Sequence, residues 1–149
     1  MITTLALDLG TKTGWAIDHN DVRLSGVWDL APSSQRRYEG GGMRYLRFHT
    51  RLRDLHGVDR VVYEEIRRHA GTSAAHIYGG LQAILTTWAE IRKIPYEAVP
   101  NGQIKKHATG KGNASKAMMC DAFRRAVGRD PVSSDEADAW WLLDLAVRE

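Results

Sequence analysis

The chain has 149 residues, 43% of them hydrophobic and 26% charged, with a formal net charge of +3. That suffices for one folded domain over 1–149 with a real core, and the composition excludes a disordered or low-complexity chain. No apolar run approaches the roughly 20 residues of a membrane span, and the start lacks a basic stretch followed by an apolar one, so a cytoplasmic protein without membrane contact is expected.

Three strand-like runs come first, Thr3 to Leu9, Gly14 to Asp18 and Val22 to Leu30. His19-Asn20-Asp21 supplies a tight turn between the second and third, so an antiparallel meander is expected. Asp8 lies inside the first run, and the Gly10 to Gly14 segment after it permits a tight turn and close approach of a phosphate-bearing ligand. Ala31 to Gly42, with Pro32 and three glycines, reads as a loop running into a helix. Tyr45, Phe48, Leu52 and Leu55 recur at helical spacing, with Arg44, Arg47 and Arg51 on a neighbouring face.

Arg60 to Ile66 is a strand in which Glu64 and Glu65 must point to opposite sides. Glu64 shares its side with Val62 and Ile66, Glu65 with Val61 and Tyr63, and periodicity does not choose between them. Ile77, Leu81, Ile84, Leu85, Trp88 and Ile91 mark a second amphipathic helix, in which Gly79-Gly80 either permits close contact with another helix or is simply a pair of poor helix formers. Tyr96 to Val99 is a fifth strand. Helical patterns follow near Gln103 to Ala108 and over Ala114 to Val127, separated by Gly110-Lys111-Gly112, and a last helix runs from about Ser134 to Arg148.

This order describes an α/β fold: a five-stranded mixed sheet, a three-stranded antiparallel meander plus parallel strands, flanked by helices. The first and fourth strands would be neighbours at its centre. Asp8 and a glutamate of the fourth strand could then face each other, with Asp135 and Asp138 laid across their ends.

Acids among apolar neighbours are costly unless paired, hydrogen-bonded or bound to a cation. The i, i+3 spacing of Asp135 and Asp138 puts both on one helix face. Ser133 with Glu136 fits a capping box, which assigns Glu136 to the helix start and leaves the two aspartates free. Gathered together, such carboxylates would make a divalent metal the natural neutraliser.

Basic residues supply the complement. Lys105, Lys106, Lys111, Lys116, Arg124, Arg125 and Arg129 are opposed only by Asp121, and a second stretch holds Arg36, Arg37, Arg44, Arg47, Arg51 and Arg53. A basic surface near an acidic pocket suits a polyanion that is both gripped and cut. His69 and His107, beside basic residues, are candidates for the same surface. The single cysteine, Cys120, excludes an internal disulfide framework and a cysteine-based zinc site.

Leu7-Asp8-Leu9-Gly10-Thr11-Lys12-Thr13-Gly14 resembles the first phosphate loop of the hexokinase and actin-type ATPases, but no second phosphate loop or adenosine pattern follows. The whole order of motifs resembles the RuvC-type Holliday junction resolvases, nucleases of RNase H-like fold. Leu5-Ala6-Leu7-Asp8-Leu9-Gly10 through Gly14-Trp15-Ala16 resembles the family's first strand and turn. Tyr63-Glu64-Glu65-Ile66 resembles its fourth-strand motif and selects Glu64. Gln103 to Lys116 reproduces its order of lysine, glycine, glycine, alanine and lysine, and Asp135-Glu136-Ala137-Asp138-Ala139 resembles its closing D-x-x-D-A helix.

The resemblance implies a homodimeric endonuclease cutting four-way junctions and other branched DNA, with no nucleotide cofactor, in the bacterial cytoplasm, or that of the host if phage-encoded. Asp8, Glu64, Asp135 and Asp138 would hold two Mg²⁺ per site, roughly 3.5–4 Å apart, with Mn²⁺ able to substitute. Lys105 and Lys116 would lie at the scissile phosphate. Arg67, Arg68, His69, Lys106, Lys111, Arg44 and Arg47 would grip DNA elsewhere. The alternative within the same fold is a nuclease acting on RNA–DNA hybrids.

Overall fold

The computed structural model describes residues 1–35 and 39–149; Arg36 and Arg37, with the middle of the expected loop, lie outside the described residues. At the centre is β1 (Thr3–Asp8), every residue of which is buried. β2 (Lys12–His19) pairs antiparallel with β1, and β3 (Val22–Asp29) antiparallel with β2. Between β2 and β3, Asn20 and Asp21 take φ values of 55° and 62°, the left-handed pair that a two-residue hairpin turn demands. On the other edge β4 (Arg60–Glu65) and β5 (Tyr96–Pro100) run parallel to β1, giving the order β3-β2-β1-β4-β5. The expected mixed sheet forms, with β1 beside β4.

Parallel neighbours need crossovers. α1 (Gly42–Arg53) precedes β4, and α2 (Thr72–Arg92) joins β4 to β5. These helices share one core with Leu5, Leu7, Val61 and Tyr63. α3 (Asn101–Thr109), α4 (Lys116–Val127) and α5 (Ser134–Arg148) follow, and their core takes Ala6, Ala16 and Val62 against Ala139 and Leu142. The period of two thus assigns alternate residues of β1 and β4 to different cores. Asp8 falls in line with Ala6, and Glu64 with Val62, so both belong to the α5 face.

The α5 face of the sheet is built from small residues, which lets the helix come close. Gly14 on β2 pairs with Asp8, and a Cβ there would lie 1.9 Å from the Asp135 carbonyl oxygen. The first turn of α5 therefore rests directly on the strand beside Asp8.

Three expectations change. Glu136 is fully buried and does not close a capping box: it accepts from Arg129 (Nη2, 2.7 Å), the Ser25 hydroxyl (2.7 Å) and the Val132 amide (2.7 Å). Ser133 still caps α5, accepting from Asp135 N at 3.2 Å. Gly80 is filled from within the chain, since a Cβ there would meet the Tyr45 ring at 2.4 Å, so its smallness serves the packing of α1 on α2. The helix expected from Ala114 begins at Lys116 because Ser115 caps it, accepting from Met118 N. Among the described residues no helix is long and apolar enough to cross a membrane.

Candidate active site

At the ends of β1 and β4, under the first turns of α5, Asp8, Glu64 and Asp138 converge: one carboxylate oxygen from each lies within 4.8 Å of the other two. Each arrives by a separate route. The parallel register that matches Leu7 with Tyr63 carries the next residues, Asp8 and Glu64, to the same strand end. Asp138 follows one helical turn after the Asp135 backbone that rests on Gly14.

The strands leave Asp8 and Glu64 only 8% and 5% exposed. Burial, then the charges of Glu64 and Asp138, hold the Asp8 carboxyl well above the usual carboxylate range. Asp138 is pushed up to about 7 by burial and by the charges of Glu64 and Asp135, against a smaller pull from Lys105 and Lys116. Three oxygen donors that cannot all ionise comfortably are the donor set a hard divalent cation takes. The residues fit a hard divalent cation.

The pull on Asp138 also locates Lys105 on α3 and Lys116 at the start of α4 on the flank of the cluster. Asp135 stands apart: its carboxylate accepts from the Ser133 hydroxyl at 3.2 Å. The choice that periodicity left open is settled in placement, for Glu64 is in the cluster. Glu65 instead pairs with Arg67 Nε at 3.1 Å.

Beside the acids, Glu64, Arg67, Arg68, Asn101 and Lys105 line a cleft of about 570 Å³. Arg68, Lys106 and Lys111 are exposed. His69 is half-buried, its ring 5.2 Å from that of Tyr78. Arg44 donates from Nε to the Thr11 hydroxyl at 3.0 Å, beside the turn that follows Asp8. Arg47 pairs with Glu39 and donates to the Ala31 carbonyl. The Gly10–Gly14 turn closes on itself: the Thr13 hydroxyl donates to the Gly10 carbonyl at 2.7 Å and accepts from the Gly10 amide. That removes one amide from any phosphate cradle.

Two residues were not singled out from sequence. Asn101, the first residue of α3, donates its side-chain amide to Glu64 Oε1. Asp144 on α5 is 2% exposed and accepts from Arg23 (2.7 Å) and Arg148 (2.9 Å), with His107 Nε2 at 2.7 Å. This takes His107 from the expected polyanion surface into a network joining α3, α5 and β3. The signal for Asp144 was present: an acid between Leu143 and Leu145 in an apolar helix. Asn101 carried none.

No protein-family model and no curated protein matches the sequence. Solved structures do. The chain is similar to Thermus thermophilus RuvC in complex with a Holliday junction substrate, at 23% identity and a TM-score of 0.75, over 95% of this chain and 90% of that one. A second Thermus thermophilus RuvC structure matches at 22% identity and 0.67 over the same shares. The yeast mitochondrial Holliday junction resolvase Ydc2 matches at 13% and 0.60, over 93% of this chain and 75% of that one. At these identities the likeness establishes a shared fold, the RNase H-like architecture that the order of motifs implied.

Proposed function

We propose that this protein is a metal-dependent endonuclease that cuts branched DNA, four-way junctions first among them. The observation that carries the reading is the convergence of Asp8, Glu64 and Asp138 beside Lys105 and Lys116. It is supported by the fold shared with a RuvC whose structure holds a Holliday junction substrate.

Asp8, Glu64 and Asp138 would hold Mg²⁺ or Mn²⁺, and a second ion would engage Asp135 once that carboxylate leaves Ser133. When bound, the metal supplies an attacking water of lowered pKa and charge neutralisation at the leaving 3′-oxygen. The chain's own residues do the rest. Lys105 and Lys116, on two different helices, would hold the scissile phosphate and the charge that grows on it. Arg68, Lys106 and Lys111 would grip phosphates away from the cut. Arg67 would first have to leave Glu65, and Arg44 acts by fixing the turn beside Asp8. His69, packed on Tyr78 and next in sequence to the cleft-lining Arg68, would add a further backbone contact.

Paired symmetric nicks would need two such sites, hence a homodimer. The test is a labelled four-way junction incubated with Mg²⁺ or with chelator, alongside native mass measurement. Paired nicks only with Mg²⁺ and a dimeric mass are expected, and Asp8→Asn should bind the junction without cutting it. Retained cleavage by Asp8→Asn would sink the assignment. Faster cutting of a linear RNA–DNA hybrid would favour the alternative substrate.

A further inference from the structure

Glu64 is held at two points. Its main-chain carbonyl accepts from the Tyr78 hydroxyl at 2.8 Å, and its carboxylate Oε1 accepts from Asn101 Nδ2. The sheet register explains why Asn101 is there. β5 runs parallel to β4 with Val99 opposite Glu64 and Pro100 opposite Glu65, so the residue after Pro100 emerges at the mouth of the site.

An asparagine in the capping position of a helix turns its side chain back to cap free backbone amides. Here α3 has no side-chain cap, and the residue in the capping position is Pro100. The Asn101 amide is directed to the acid instead. Among the described residues, no other side chain outside the acidic trio hydrogen-bonds to any of its three carboxylates. The only side-chain hydrogen bond of Asp8 is within the trio, to Glu64, and Asp138 faces the lysines through charge alone.

The chemistry of the donor matters. A lysine or arginine at this position would neutralise Glu64 and compete with a cation. A neutral amide takes one of the roughly four lone-pair sites of the carboxylate and leaves its charge in place. It fixes the plane of the group without lowering its value as a ligand, as partners of metal-binding carboxylates do.

We infer that Asn101 is a positioning residue that orients the Glu64 carboxylate for cation binding. This rests on the metal-dependent reading of the site, and the test separates the two. The melting temperature of the full chain, without DNA, is followed in chelator and across a Mn²⁺ titration, because a ligand that binds only the folded state raises it in a concentration-dependent way. Each variant serves as its own metal-free baseline, so a loss of folding stability does not enter the affinity.

Asn101→Ala should weaken Mn²⁺ affinity about 10- to 100-fold. Asn101→Gln, which keeps the amide and has the neighbouring cleft to occupy, should recover most of it. If Asn101→Ala binds Mn²⁺ within twofold of the parent, the inference is overturned while the metal site stands, even where its melting temperature in chelator has fallen. A parent protein that does not respond to Mn²⁺ removes the metal reading, and the inference with it.

Discussion

Asp138 and Asp144 lie on one helix, six residues apart, with their carboxyls in opposite electrostatic states. Burial and the charges of Glu64 and Asp135 push Asp138 up to about 7. Burial would raise Asp144 as well, but hydrogen bonds from Arg23, His107 and Arg148 outweigh it and hold that group below its usual value. The stability of the metal-free protein follows. A carboxyl raised in the fold binds its proton more tightly there than in the unfolded chain, so its contribution is present below about pH 4 and lost as pH rises through 7. A depressed carboxyl contributes above its unfolded value and loses that contribution as pH falls through its folded one. In chelator the melting temperature should therefore be higher at pH 5 than at pH 8, and should drop again in stronger acid as Glu136 and Asp144 protonate. Mg²⁺ should reverse the first slope by stabilising at pH 8 and hardly at pH 5, and Asp138→Asn should flatten it. Thermal melts across pH, with and without Mg²⁺, check all three statements. Asp144→Ala removes the acceptor shared by Arg23, Arg148 and His107 at once. It should destabilise by on the order of 3 kcal/mol, read by urea unfolding.

Among the elements, α5 does two jobs: it closes the second core and carries half of the proposed site. Its contact with Gly14 sets the height at which Asp138 meets Asp8. A methyl at that position has no room, so Gly14→Ala should lift the first turn of α5, cost about 1–3 kcal/mol, and reduce junction cleavage at least tenfold. Gly79→Ala is the matched control. A Cβ there meets nothing within 4 Å, and the gain in helix propensity should leave stability unchanged or up to about 1 kcal/mol higher. Much of this level was legible in the chain, because hydrophobic periodicity is a local signal. The period of two placed Asp8 and a β4 glutamate at strand ends, and the i, i+3 spacing placed Asp135 and Asp138 on one face. Which glutamate faces α5 was not local: it depends on which core receives Val62. The partners of Glu136 were hidden for the same reason. Ser25 is 111 residues away in sequence, and that bond exists only once β3 lies against α5.

Charge over the whole molecule separates by residue type in a way the sequence total of +3 conceals. Arginines do much of the internal work: Arg23, Arg47, Arg60, Arg124 and Arg129 are each in an ion pair. That suits a planar fork that bonds carboxylates at fixed angles. No lysine is in an ion pair among the described residues, and Lys106, Lys111 and Lys116 are exposed on α3, on the loop after it and at the start of α4. A solvated lysine is a point charge free to meet a phosphate, so these lysines, together with the exposed Arg68, should carry the salt dependence of DNA binding. Removing one phosphate-binding cation should reduce the slope of log affinity against log salt by about 0.9. The double substitution of Lys106 and Lys111 by alanine should then lower the slope by about 1.8, while the same change at Arg124 should leave it nearly unaltered, its guanidinium already being held by Asp121 and Asp130. Fluorescence anisotropy of the Asp8→Asn protein on a labelled four-way junction, from about 50 to 200 mM salt, reads the slope without cleavage. Equal slopes for the parent and the double-lysine protein would place the phosphate grip elsewhere on the molecule.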